Sequence, residues 1–228
     1  MGTRHLFLAI ALAVGQTAAA QIDTASTVVI VAGQEAALAY NQGLTDIAQW
    51  NCNKAVRNFS DAIAHTPKFA KAYYNRGVVE LSTFDNQASI KDFTEAHDIN
   101  PAIRNAQVGM SIALARQGKF DDAFEAMQKA EDLGISKQLY HYYSGYINYL
   151  KGDYQQAQGH YNEALQLSPN DYRAHCDRAS ALLKDNNPKD ALADYDTAIS
   201  LDPNNTRHIT TEQTPGRCSL TSTAHKQT

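Results

Sequence analysis

Residues 138–171 read QLYHYYSGYINYLKGDYQQAQGHYNEALQLSPND and divide into two helical stretches. Gln138 to Lys151 is the first, Gly152-Asp153 is a turn, and Tyr154 to Leu167 is the second. Ser168-Pro169-Asn170 ends the unit, because proline cannot continue a helical ladder and disfavours helix in the residue before it. The small residues have a steric role. Two antiparallel helices approach closely only where one presents no bulk, so Gly145 and Ala157 are expected at the crossing, with Tyr161 filling the space beside them.

The same pattern extends in both directions with a period of 34 residues. Prolines stand at 67, 101, 169 and 203. Small residues fall at Gly43, Gly77, Ser111, Gly145 and Ala179, and again at Ala55, Ser89, Ala123, Ala157 and Ala191. Alanine alone occupies 62, 96, 130, 164 and 198, and large side chains recur at Phe59, Phe93, Met127, Tyr161 and Tyr195. Five copies, 36–69, 70–103, 104–137, 138–171 and 172–205, align without insertion or deletion. A fixed period of this length marks a stacked array in which each unit buries its apolar face against its neighbours. The third copy departs from the pattern, with Ile135 where the others have proline.

The spacing Gly145, Ala157, Tyr161, Ala164, Pro169 resembles the tetratricopeptide-repeat signature of a small residue, then A-x3-F/Y-x2-A and a closing proline. The family's first-helix tryptophan position holds Ala39, Tyr73, Gln107, His141 and His175 here. The resemblance implies an all-α fold, a right-handed superhelical solenoid of antiparallel helix pairs, whose partner is a protein or peptide. It also implies that first helices line a concave groove. Carried over position by position, that groove takes Tyr40, Asn41 and Leu44 from copy one, and Lys71, Tyr74, Asn75 and Val78 from copy two. Copy three supplies Asn105, Val108 and Ile112, copy four Tyr142, Tyr143, Tyr146 and Tyr149, and copy five Arg173, Asp177 and Ser180. Tyr142, Tyr146 and Tyr149 are three and four apart, hence on one helical face, and tyrosine gives contact area with a polar tip at little entropic cost. The alternative for these aromatics is packing. Chaperone-binding members of the family clamp a terminal carboxylate with lysine, arginine and asparagine. Asn41 and Asn75 match the amide positions, but Tyr40 and Leu44 replace the lysine and an asparagine, which argues against a chaperone-tail receptor.

The flanks differ in composition. Arg4, the apolar run LFLAIALAV at 6–14 and the small residues ending in Ala18-Ala19-Ala20 have the order of a secretory signal peptide, with cleavage expected between Ala20 and Gln21. Nine apolar residues fall short of the roughly 20 that span a bilayer, so a soluble periplasmic or extracellular chain is expected, with no membrane span. Residues 21–35 form a linker, either mobile or a strand-like strip on the first repeat. Residues 206–228 are threonine-rich and interrupted by Pro215-Gly216, and read as a disordered tail. The resemblance implies a capping helix after the last copy, and this tail supplies none. The flank around Leu192, Tyr195 and Ile199 is therefore expected to be partly uncovered, which leaves room for a homo-oligomer.

A formal charge of −4 over 228 residues carries no basic excess for nucleic acid. Cys52, Cys176 and Cys218 are odd in number; Cys52 and Cys176 lie several repeats apart, whereas pairing of Cys176 with Cys218 stays open. No phosphate loop, HExxH or metal-ligand spacing occurs, so neither catalysis nor a cofactor or metal is expected. His141, His160 and His175 are expected to be isolated from acidic partners. Asp121-Asp122 and Asp194/Asp196 are expected to be solvated, the first pair opening a helix beside its positive dipole end.

Overall fold

A computed structural model of the chain describes residues 34–203; the leader, nearly all of the linker and the tail lie outside them. Ten helices are present among the described residues, and no strand. They are α1 (Gln34–Ala48), α2 (Cys52–His65), α3 (Ala70–Ser82), α4 (Asn86–Ile99), α5 (Asn105–Arg116), α6 (Phe120–Asp132), α7 (Lys137–Lys151), α8 (Tyr154–Leu167), α9 (Tyr172–Lys184) and α10 (Pro188–Leu201). Odd-numbered and even-numbered helices pair as antiparallel hairpins. The hairpins form two compact units, α1–α6 up to Ile135 and α7–α10 from Ser136.

Backbone chemistry repeats with the sequence. Within each hairpin the turn passes through a left-handed residue: Trp50, Phe84, Gly118, Gly152 and Asn186, with φ between 60° and 91°. The next residue in each case, Asn51, Asp85, Lys119, Asp153 or Asn187, donates its N–H to the carbonyl five residues back at 2.8–3.0 Å. This is a Schellman closure, which satisfies carbonyls the helix end would otherwise leave unpaired. Glycine and asparagine enter that conformation at low cost, whereas Trp50 and Phe84 enter it against Cβ repulsion.

Second helices end differently. Thr66, Asn100, Ser168 and Asp202 all precede proline and all are extended, with φ from −137° to −144°. Each donates its N–H to the carbonyl of the invariant alanine, Ala62, Ala96, Ala164 or Ala198. At the third copy the proline is absent and glycine replaces its function. Gly134 turns left-handed (φ 84°) and Ile135 N–H closes on Ala130 O at 3.2 Å. The boundary between the two units falls directly after this residue.

Packing explains the periodic small residues. A Cβ on Gly43 would stand 2.6 Å from Phe59 Cε1, one on Gly77 3.1 Å from Phe93 Cε1, and one on Gly145 2.8 Å from Tyr161 Cε1. Where the small residue is Ser111, the large position of the same hairpin holds Met127, whose chain is unbranched, and both are buried. Phe59, Phe93, Met127 and Tyr161 are thereby fully buried, as are all five alanines of the 62-to-198 series. Gly109 shares this role across copies, because a Cβ there would collide with the ring of Phe93 in the preceding hairpin.

Two hairpins also carry a partly buried ion pair at one register position. Arg76 donates to both carboxylate oxygens of Asp92 (2.6 and 2.7 Å), and Arg178 to both of Asp194 (2.7 and 2.5 Å). Each guanidinium also reaches back to the preceding second helix, at Ser60 Oγ (2.8 Å) or Asn162 Oδ1 (2.7 Å). Removing one member of such a pair strands the other, at a cost of about 3–5 kcal/mol when burial is complete and less here.

Candidate functional site

Within each unit the first helices of successive copies lie side by side, and one hydrogen bond made twice records it. Asn75 Nδ2 donates to Tyr40 Oη at 2.8 Å in the first unit. Tyr142 Oη donates to Asp177 Oδ2 at 2.7 Å in the second. Tyr40 and Tyr142 stand at the same position of copies one and four, and Asn75 and Asp177 at the same position of copies two and five. Each tyrosine ring continues inward onto the large residue of its own hairpin. Tyr40 to Phe59 is 5.7 Å, Tyr74 to Phe93 5.8 Å and Tyr142 to Tyr161 6.0 Å between ring centres.

The residues expected to line a groove therefore divide by exposure. Asn41 and Lys71 are exposed, and Tyr74, Asn105 and Arg173 are half-buried. Tyr40, Asn75, Val78, Tyr142, Tyr143, Tyr146, Tyr149 and Asp177 are buried. Burial pushes the Tyr142 hydroxyl well above its ordinary pKa, with the charge of Asp177 adding to the effect. Burial likewise raises Tyr143, and takes Tyr149 up to about 12. These hydroxyls stay protonated across the physiological range.

In the second unit the structure brings together a polar group that spacing alone did not reveal. Asp171, the N-cap of α9, accepts from its own helix at Arg173 N–H (3.1 Å) and from the Arg173 guanidinium twice (3.1 Å each). Gln138, in the first turn of α7, donates to the same carboxylate at 3.0 Å. The guanidinium carbon lies 5.6 Å from the centre of the Tyr142 ring. Burial opposes the Arg173 charge, but Asp171 together with Tyr142 and Tyr143 more than offsets it, so the group titrates above the usual arginine range. Around this ion pair Gln138 Oε1, Tyr143 Oη and Arg173 Nη1 are buried with no hydrogen-bond partner among the described residues. They comprise one acceptor, one donor and one hydroxyl able to act as either. Gln138 and Asp171 were invisible as site residues because each sits at a helix start, where a polar residue reads as a cap.

Two expectations about charged residues are overturned. His175 is not isolated: Nδ1 lies 2.9 Å from Asp194 Oδ1, and Nε2 3.0 Å from the carbonyl of Pro169. His141 faces His160, with 3.3 Å between their Nδ1 atoms. Asp194 is likewise buried rather than solvated, because Arg178 and His175 converge on it. The hairpin places residues 16 and 19 apart in contact, a spacing that no single helix reveals. Asp121 and Asp122 do open α6 and are exposed, as expected. Among the described residues no group of three His, Cys, Asp or Glu side chains could hold a metal ion, and no helix is long and apolar enough to cross a membrane.

None of the curated proteins compared matches the chain. Solved structures do. A thermophilic tetratricopeptide-repeat protein of Thermus thermophilus, TTC0263, has 19% identity and a TM-score of 0.65, covering 74% of this chain and 92% of its own. PilW, described as a widely conserved type IV pilus biogenesis factor, has 16% identity and a TM-score of 0.64, covering 75% and 79%. YrrB, described as a tetratricopeptide-repeat protein with an unusual peptide-binding site, has 17% identity and a TM-score of 0.51, covering 73% and 86%. At these identities the likeness is one of fold. In sequence, two family models described as tetratricopeptide repeat match residues 70–103 and, in overlapping pieces, 109–172 and 149–206, together more than half of the chain. With its repeated left-handed turns, pre-proline caps and glycine crossings, the chain belongs to the tetratricopeptide-repeat family.

Proposed function

We propose that this chain is an exported, non-catalytic adaptor that holds an extended peptide or a helix of a partner protein against its first helices. The observation that carries this reading is the trio of unpaired buried polar atoms on Gln138, Tyr143 and Arg173, beside the Tyr142–Asp177 hydrogen bond. These atoms are closed to solvent, so a peptide amide reaches them as the side chains over them part: its carbonyl then accepts from Arg173, its N–H donates to Gln138, and Tyr143 serves either. An isolated carboxylate would leave Gln138 Oε1 unpaired, which costs about 1–3 kcal/mol. Packed repeats fix the backbone of the first helices before binding, so only side chains reorder in the complex. In the first unit the exposed Asn41 and Lys71 offer the same face to a ligand. Export rests on the leader of residues 1–20, and a role in envelope assembly on that leader together with the fold likeness to PilW.

Panning a displayed peptide library against the full chain tests the reading. Selected peptides should lose roughly tenfold or more in affinity with Tyr143→Phe, which deletes one oxygen, while the thermal midpoint barely moves. Peptides that bind Tyr143→Phe and Gln138→Leu as well as the parent chain would remove the proposed anchor. Amino-terminal sequencing of the exported protein should begin at Gln21.

A second reading has its own observation. Val56, Ile90, Phe124 and Gln158 are half-buried at one register position of successive second helices, but Leu192 at that position of α10 is 62% exposed. Ile199, one register set further along, is 40% exposed, whereas its counterpart Leu165 is buried. Tyr195, expected beside them in the uncovered flank, is buried. On this reading the chain is a structural subunit that self-associates through α10. Sedimentation equilibrium decides it: a concentration-dependent mass abolished by Leu192→Glu supports self-association, and a monomer throughout refutes it.

A further inference from the structure

We propose that a disulfide between Cys176 of α9 and Cys218 ties the carboxy-terminal segment 204–228 across the end of the array, where it caps the last hairpin in place of a further first helix. Cys176 is disulfide-bonded, and Cys52 is free. The sequence has three cysteines, so the partner within the chain is Cys218.

The repeat register gives the bridge its role. Cys176 stands at the position held by Tyr40 in copy one and Tyr142 in copy four. Both tyrosines are buried, and each is hydrogen-bonded to the first helix of the next copy, at Asn75 or Asp177. The position thus faces the following first helix. No hairpin follows copy five among the described residues, yet Cys176 is only 2% exposed, and Ser180, one turn further along α9, is buried as well. A further first helix in this register would span 206–219, a stretch that contains Cys218 but is interrupted by Pro215-Gly216. A covalent tie at that position supplies the neighbour that the helix pattern no longer provides. The cap lies on the α9 side of the hairpin, because Leu192 and Ile199 of α10 remain exposed.

Reach and chemistry both allow the bridge. Cys176, one turn into α9, belongs to the same apolar cluster as Ala198 in the last turn of α10. From Pro203, the last described residue, to Cys218 the chain can extend about 50 Å, against about 20 Å for the whole length of α9. The loop that the bridge closes contains all of α10, so the tie restrains the hairpin as a unit. Forming the Sγ–Sγ bond passes two electrons and two protons from the thiols to an external disulfide, which is reduced to two thiols. In the cell the inference rests on the export proposed above, since an oxidising compartment keeps such a bond.

The test takes the purified full chain, reduced and then oxidised with glutathione disulfide, treats it with iodoacetamide and digests it with trypsin without reductant. Peptides 174–178 and 218–226 should appear joined, with Cys52 alone alkylated. Amide hydrogen exchange in α9 and α10 should be more than about tenfold slower in the oxidised chain than in the reduced one, with α1–α6 unchanged. Cys218→Ser should exchange like the reduced chain under both conditions. Comparing oxidised with reduced parent chain needs no substitution, so a variant that folds poorly does not obscure the outcome. Free Cys176 and Cys218 after oxidation, a different pairing, or a bridge between two copies would overturn the proposal. So would exchange in α9 and α10 that ignores the bridge. Because the oxidant is added, failure here refutes the cap alone; failure of the export reading shows separately, as an exported fraction that lacks the chain.

Discussion

Replacing Gly145 with alanine isolates the steric logic of the repeat. The new methyl would stand 2.8 Å from Tyr161 Cε1 and 2.9 Å from Cδ1, where carbon atoms normally rest at about 3.5–4.0 Å. Tyr161 is fully buried, so its ring moves away only by displacing the residues packed around it. Overpacking of this kind costs about 1–3 kcal/mol, and the better helix propensity of alanine returns about 0.5–1 kcal/mol, for a net loss of ~1–2 kcal/mol. Gly159 provides the matched control. It lies in α8 of the same hairpin, and a Cβ there meets nothing within 4 Å, so Gly159→Ala should stabilise by about 0.5–1 kcal/mol. The same chemical change thus acquires opposite signs fourteen residues apart. Urea unfolding followed by far-ultraviolet circular dichroism suits the comparison, because the single tryptophan, Trp50, lies in the other unit. If both variants move stability in the same direction, close approach at the crossing does not govern the repeat.

Phe84 adopts a left-handed conformation (φ 65°) while its ring stays exposed except for stacking on Arg116, 5.1 Å away. Phe84→Asn should stabilise the first unit by up to about 1 kcal/mol in thermal melts; a loss would mean the Arg116 contact outweighs the backbone strain. Burial, reinforced by the charge of Asp92, lifts Glu80 up to about 8. Its folded pKa lies above the unfolded value, so its stabilising contribution is complete below the unfolded pKa and is lost as pH rises toward 8. Glu80→Gln should flatten the decline in stability between about pH 5 and 8, and an unchanged slope would exclude Glu80 as its source.

Much of this fold can be read from residue spacing, and the reason is local. Proline at 67, 101, 169 and 203 dictates the extended cap before it, and glycine at 118 and 152 meets the left-handed turn, so both hairpin ends are written in single residues. Gly145 facing Tyr161 follows from the same steric rule. The left-handed turns at Trp50 and Phe84 could not be inferred from those residues, which disfavour that conformation; only the period with Gly118 and Gly152 points to them. The polar site was less legible. Spacing put Tyr142, Tyr146 and Tyr149 on one face, yet Tyr143 on another face is equally buried, because a helix enclosed by neighbours has no single apolar stripe. The Arg178–Asp194, His175–Asp194 and Gln138–Asp171 contacts join separate helices, so their partners depend on tertiary register rather than on pattern within a helix.

The central claim, recognition through the first-helix face, is tested most directly by photo-crosslinking in the native cell. A benzophenone side chain would be placed at exposed first-helix positions, Asn41 of α1 and Lys71 of α3, and at exposed second-helix positions, Asp61 of α2 and Lys91 of α4. The account predicts that Asn41 and Lys71 capture one and the same partner protein while Asp61 and Lys91 do not. Capture from the second-helix positions alone, or only of further copies of this chain, would contradict it.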